Sequence, residues 1–238
     1  MPPDTSPSPL ADYSTCELSD ALLKLGVVHG GHISDIHMIS PSPSSSIAES
    51  ARLCGPAYTV RMVLTSDASS PKLNGHFVDL APEGSVIFID VPPEARNAVW
   101  GGLMTAGAIV RNCQGTIVSG RIRDTSEHRA ASYPLFARGT STVGQSPFTR
   151  PSQVNVPVAV GTGGNLGSVM VSPGDWLVAD LDGVICVPRE LAEEAAALAA
   201  QGREVDSRCL EDIKKGVGVA ESFKRHRGKK PVPPAQKL

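Results

Sequence analysis

Apolar positions along this chain change period from block to block, and the blocks read as strands and short helices in turn. Val86 to Val91 is an unbroken apolar run between Gly84 and Pro92, the pattern of a strand covered on both faces. Strand character also runs through Arg52 to Thr65, appears near Thr140 to Val143, and alternates over Val154 to Val160. Ser168 to Val171 followed by Pro173-Gly174 reads as strand and turn. Trp176 to Val187 gives two strands joined across Asp180-Leu-Asp182-Gly183. Helical spacing is found at Asp20 to Gly26, closed by glycine, and in a short piece within residues 66–81. A long helix opens at Pro188, with Leu191, Ala195, Leu198, Gly202 and Val205 on one face.

The stretch from Trp100 to Arg129 carries the most chemistry. Leu103, Ala106, Gly107 and Val110 fall at the spacing of one buried helical face. Gly115 stands where that helix would close, Thr116-Ile117-Val118 reads as a strand, and Gly120 ends it before Arg123-Asp124. A helix of about a dozen residues advances roughly 18 Å, and a strand of about five or six residues returns a similar distance. The chain therefore comes back from Gly101-Gly102 to bring Arg123 and Asp124 near its starting point. A helix N-terminus, here the amides of Leu103 and Met104, suits an anion. Arg123 adds a planar charged fork for a carboxylate. Asp124 and Glu127 can hold a hard divalent cation such as Mg2+ or Mn2+ with waters retained. An anion cradle beside a metal is what a small 2-oxo acid needs. A plainer reading fits the same residues: Asp124-Thr-Ser-Glu127 spells a capping box, and Arg123 would then be a surface ion-pair partner.

Composition narrows the class. With 238 residues, a formal net charge of −2 and 41% hydrophobic residues, the chain can build one sizeable core and advertises no nucleic-acid partner. No apolar run reaches membrane-spanning length, and no secretory signal opens the chain, so a cytoplasmic location and no membrane partner are expected. Five scattered cysteines read as reduced, packed thiols. His29, His32 and His37 read as solvated or structural, and Ser40 to Ser50 as an exposed loop. Residues 144–153 read as a Pro/Ser loop. Gly161 to Gly167 spells a dinucleotide loop, yet strand rather than helix follows it, so that reading is rejected. Residues 1–14 are expected to be a mobile lead-in, residues 15–215 one domain, and residues 216–238 a helical end with a basic tail. The last three residues, Gln236-Lys237-Leu238, only loosely resemble a peroxisomal address.

Gly102, twenty intervening residues, Arg123-Asp124, two more and Glu127 resemble the signature of the RraA-like family. Leu18-Ser-Asp20-Ala-Leu22, Gly55 to Val60, Pro82 to Asp90 and Pro173 to Pro188 resemble four further blocks of that family in order, covering roughly residues 15–215. The resemblance implies an α/β fold, a layered α/β/β/α sandwich in a single domain with mobile tails. It implies homotrimeric or hexameric rings with active sites between neighbours. The implied function is a divalent-metal-dependent aldolase or oxaloacetate decarboxylase, a carbon–carbon lyase. It would cleave 4-hydroxy-4-methyl-2-oxoglutarate or decarboxylate oxaloacetate through a metal-stabilised pyruvate enolate. In that scheme Arg123 and Asp124 are catalytic, Gly101, Gly102, Leu103, Met104 and Arg123 bind the substrate, and Asp124 and Glu127 hold the metal. Some aldolases of the family carry an acidic residue where Gly102 stands, which bears on substrate range. The alternatives are a lyase for a specialised secondary-metabolism substrate, and a non-catalytic protein-binding regulator of the RraA type.

Overall fold

The structure is a computed structural model that describes residues 8–161 and 165–228. In chain order the first half comprises α1 (Thr15–Lys24), β1 (His37–Ser40), α2 (Ser46–Ser50), β2 (Leu53–Leu64), β3 (Val86–Asp90) and β4 (Ala98–Trp100). Next come α3 (Gly102–Val110), β5 (Gly115–Ile122), α4 (Thr125–Ala130), β6 (Leu135–Thr140) and β7 (Thr149–Val154). The chain continues through β8 (Val158–Val160), β9 (Val169–Val171), β10 (Trp176–Asp180), β11 (Gly183–Val187), α5 (Ala192–Lys214) and α6 (Val219–His226).

The main sheet runs in the order β1-β6-β5-β3-β2-β10-β11, with β4 added beside β5 and β7 beside β2. Strands β2, β3, β5 and β6 are mutually parallel, and antiparallel pairs flank them on both sides. The two ends of this path approach each other, with β1 touching β11 and a bridge between His32 and Ile185, so the sheet nearly closes. Ala57, Phe88, Ile117 and Phe136 from one half therefore pack against Leu177, Ala179, Val184 and Cys186 from the other. Alternate residues of β3, Ile87 and Ile89, face outward into a second core. That second core holds Trp100, Ala108 and Tyr133 around the α3 side of the molecule. On the opposite side Val178, Ile185 and Val187 meet Leu18 and Leu22 of α1 and Ala195 and Ala199 of α5. Helix, strand, strand and helix layers follow in that order, the α/β/β/α arrangement that the resemblance implies.

Several local expectations are corrected. Residues 66–81 form turns rather than a helix, although Phe77, Val78 and Ala81 still reach the core. The strand expected near residues 140–143 is β6, which ends at Thr140, and residues 149–154 form strand β7 inside the expected loop. Pro151 is tolerated there because β7 pairs only with β2 and so lies at an edge. Asn155, at φ +53°, breaks the expected strand over residues 154–160 into β7 and β8. Strand β5 does not stop at Gly120 but passes through it, and glycine stands there because a Cβ would meet the Val91 side chain at 2.9 Å. Cys16 is exposed rather than packed.

Residues 8–14, expected in the lead-in, pack against the domain: Leu10 is buried with α1 and α5, and Arg203 lies over the Tyr13 ring. Ser14 then caps α1 reciprocally, accepting from the Glu17 amide while the Glu17 carboxylate accepts from the Ser14 amide at 2.8 Å. Lys224, Arg225 and His226, expected in a tail, belong to α6, where Arg225 pairs with Asp212 at 2.9 Å. The lead-in residues 1–7, positions 162–164 of the glycine loop, and residues 229–238 with the loose peroxisomal resemblance lie outside the described residues. No helix among the described residues is long and apolar enough to cross a membrane.

Candidate active site

Strands β4 and β5 are parallel neighbours, so the helices that follow them, α3 and α4, begin side by side at one edge of the sheet. The Arg123 amide donates to the Trp100 carbonyl at 3.0 Å, and the Gly102 amide donates to Asp124 Oδ2 at 3.1 Å. Gly101, Gly102, Leu103, Met104, Arg123 and Asp124 line one cavity of about 140 Å³, together with Gln145. Since a water molecule takes about 30 Å³ of liquid volume, this is room for a few waters or one small organic acid.

Asp124 does not cap α4 as the capping-box spelling suggests. It stands at the N-cap position with φ +62° and ψ +40°, and its side chain makes no capping hydrogen bond. The carboxylate turns instead to the Gly102 amide, at the start of the neighbouring helix. A left-handed backbone at a residue other than glycine is uncommon, although Asp tolerates it better than most, and such residues cluster at functional sites. Glu127 lies over the same dipeptide: a Cβ built on Gly102 would fall 1.6 Å from Glu127 Oε2, and one on Gly101 would fall 2.7 Å from Asp124 Oδ2. The missing side chains at 101 and 102 thus make the space in which both carboxylates sit. Among the described residues no group of three or more His, Cys, Asp or Glu side chains is assembled for a metal. Two carboxylates with open space beside them suit a Mg2+-type ion that keeps waters and takes further oxygens from its substrate, and they do not suit a closed structural site.

Arg123 reaches across the cavity with its side chain about half exposed, its Nε 3.6 Å from Asp124 Oδ2. Its guanidinium passes over Gly144, where a Cβ would be 2.8 Å from Nη1. The helix amides are less free than the sequence suggests. Met104 donates to the Gly101 carbonyl at 3.0 Å, and Gly102 is engaged by Asp124, leaving only the Leu103 amide without an acceptor among the described residues. The buried face of α3 also differs from the periodicity reading. Gly102, Thr105 and Ala108 point inward, while Leu103 is 90% exposed and Val110 82% exposed. Small residues at i, i+3 and i+6 let α3 lie close to its neighbours, so the larger apolar side chains turn out. That row of small residues was the available signal. Thr105, His128, Gly144 and Gln145 are the residues near the site that sequence reading missed.

Comparison with known proteins follows the same residues. The RraA-like family profile, described as Aldolase/RraA, matches residues 15–186, which takes in the signature and the whole cavity. This chain belongs to the RraA-like family. A 4-hydroxy-4-methyl-2-oxoglutarate aldolase of Thermus thermophilus is 32% identical over 148 residues, covering 62% of this chain and 83% of that enzyme. Protein DlpA of Legionella pneumophila is 29% identical over 195 residues, covering 80% of this chain but only 29% of DlpA. The chain thus spans less than a third of that relative's length. A crystal structure of an uncharacterized protein from Pseudomonas syringae pv. tomato superposes with a TM-score of 0.73 at 28% identity, over 90% of this chain and 94% of that one. In this RraA-like protein Arg123 and Asp124 line the cavity, and Glu127 lies against Gly102 at its edge.

Proposed function

We propose that this RraA-like protein is a divalent-metal-dependent carbon–carbon lyase for small 2-oxo acids, cleaving 4-hydroxy-4-methyl-2-oxoglutarate or a close analogue and decarboxylating oxaloacetate. One observation carries the reading: the glycine pair at the start of α3 and the Arg123–Asp124 pair meet and line one cavity of small-acid size. Asp124 and Glu127 would hold Mg2+ or Mn2+. When bound, the ion supplies Lewis-acid stabilisation for the charge released as the carbon–carbon bond breaks.

The chain's own groups do the rest. Arg123 would bind the substrate carboxylate through its guanidinium fork, whose ion pair among the described residues is the 3.6 Å contact of Nε with Asp124. The free Leu103 amide points a fixed dipole at the same anion, and one preorganised donor of this kind is worth about 3 kcal/mol in the transition state. Asp124 is kept in place by the Gly102 amide, so it does not reorganise when substrate arrives. Homotrimeric or hexameric assembly belongs to the same proposal. It is supported by the outward apolar face of α3, where Leu103 at the cavity and Val110 at the far end of the helix are 90% and 82% exposed.

The decisive test is oxaloacetate decarboxylation with added Mg2+ or Mn2+. Arg123→Ala and Asp124→Ala should each abolish turnover in folded protein, and a chelator should do the same to the wild type. Turnover that survives all three treatments overturns the reading.

A further inference from the structure

The Arg123 peptide is gripped on both sides. Its N–H donates to the Trp100 carbonyl at 3.0 Å, and its carbonyl accepts from His128 Nε2 at 2.6 Å. The grip continues inward: His128 Nδ1 lies 2.9 Å from Thr105 Oγ1, which accepts from the Trp100 indole at 2.8 Å. Trp100, Thr105 and His128 are all buried. Hydrogen bonding settles the protons around this ring. A carbonyl only accepts, so His128 Nε2 carries a hydrogen. Thr105 Oγ1 accepts from the indole N–H, which can only donate, so its own hydroxyl proton is free to go to His128 Nδ1. The circuit starts and ends on Trp100, the residue before Gly101, and passes through the residue before Asp124. It therefore ties together the two chain segments whose convergence makes the cavity.

We propose that Thr105 and His128 are positioning residues: their buried hydrogen-bond circuit holds the Arg123–Asp124 backbone in the left-handed turn that directs both side chains into the cavity. The left-handed Asp124 needs such support, because a residue in this region persists only where its surroundings over-determine it. Neither Thr105 nor His128 lines the cavity, so each acts through the Arg123 peptide rather than on a ligand. The inference deepens the lyase reading and, for its catalytic consequence, rests on it.

Thr105→Val removes the hydroxyl at nearly constant volume, and Thr105→Ser keeps it. Three quantities are measured on each full-length protein: kcat/KM for oxaloacetate, Mn2+ affinity from the spin-resonance signal of the free ion, and the Asp124 backbone 13C shifts, which sense its left-handed φ. Thr105→Val should lose roughly 10- to 100-fold in both kcat/KM and Mn2+ affinity and move the Asp124 shifts. Thr105→Ser should restore all three. A folded Thr105→Val protein with wild-type turnover, affinity and shifts overturns the proposal, as does a loss that serine fails to restore. If the wild type neither binds Mn2+ nor turns over oxaloacetate, the lyase reading falls and the backbone claim is judged on the shifts alone. Shifts that move in Thr105→Val and return in Thr105→Ser then support it, and unchanged shifts overturn it. His128→Gln, which can still donate to the Arg123 carbonyl, should keep the Asp124 shifts closer to wild type than His128→Leu does.

Discussion

Gly102 and Glu127 share one volume: the Glu127 carboxylate lies where a side chain on residue 102 would begin, 1.6 Å from the position of a Cβ. The two positions are therefore coupled, although they sit on different helices. Gly102→Ala should force Glu127 to swing out toward solvent. The tip of a flexible side chain moves cheaply, so the melting temperature should change little. The carboxylate would nevertheless leave the site. Gly102→Ala should then match Glu127→Gln in its loss of Mn2+ affinity and turnover, and the double variant should be no worse than either single one. Additive losses in that cycle would show that the two residues act separately.

Asp124 joins an unusual backbone to a charged side chain, and two substitutions separate the two. Asparagine accepts the left-handed region nearly as well as aspartate but carries no charge. Asp124→Asn should stay as stable as wild type and lose turnover. Asp124→Ala should lose turnover as well and also pay about 1–2 kcal/mol for a Cβ in this region without a polar tip. Denaturant midpoints for the two variants check the difference. Equal stability of the two would mean that the turn at φ +62° carries little strain.

The convergence of Gly102 with Arg123-Asp124 was legible because it depends on lengths: a helix out and a strand back cover similar distances. The partition of the strands was legible wherever an apolar run ended at glycine or proline, as at Gly84 and Pro92 around β3. What periodicity missed has two physical causes. Helix α3 buries its small residues, Gly102, Thr105 and Ala108, so ranking by hydrophobicity chose the opposite face. His128 sits in the polar-looking segment Thr125–Ala130, and only the fold shows that the Arg123 carbonyl and the Thr105 hydroxyl satisfy both its nitrogens inside the protein. The capping-box spelling misled for a related reason. Asp124 had a competing donor, the Gly102 amide, brought from 22 residues away.

Gly144 is the wall against which Arg123 rests. A methyl group there would come within 2.8 Å of Nη1, closer than real contacts allow, and the guanidinium would have to move off the cavity. The residue lies outside the left-handed region, so alanine costs the backbone little. Gly144→Ala should raise KM for oxaloacetate, by roughly tenfold or more if the fork loses its alignment, with a smaller effect on kcat. Steady-state kinetics on the folded variant test this. An unchanged KM would remove Arg123 from carboxylate binding.

At the other side of the molecule, acid should reveal how the N-terminal segment is held. Arg203 hydrogen-bonds the Glu17 carboxylate at 2.6 and 2.7 Å, and together with the Ser14 contacts it lowers the Glu17 pKa to about 2. Its ordinary value of 4.5 applies once the chain unfolds. The folded state thus binds a proton less readily than the unfolded state. The stabilisation is fully present above pH 4.5 and is lost progressively as the pH falls toward 2. Glu17→Gln should therefore be less stable than wild type at neutral pH, and the gap should close on acidification across that window. Because Arg203 is about half exposed, high salt should narrow the gap at neutral pH as well. Thermal melts of both proteins at several pH values measure it, and a gap that stays constant down to pH 2 would show that the ion pair does not anchor α1 to α5.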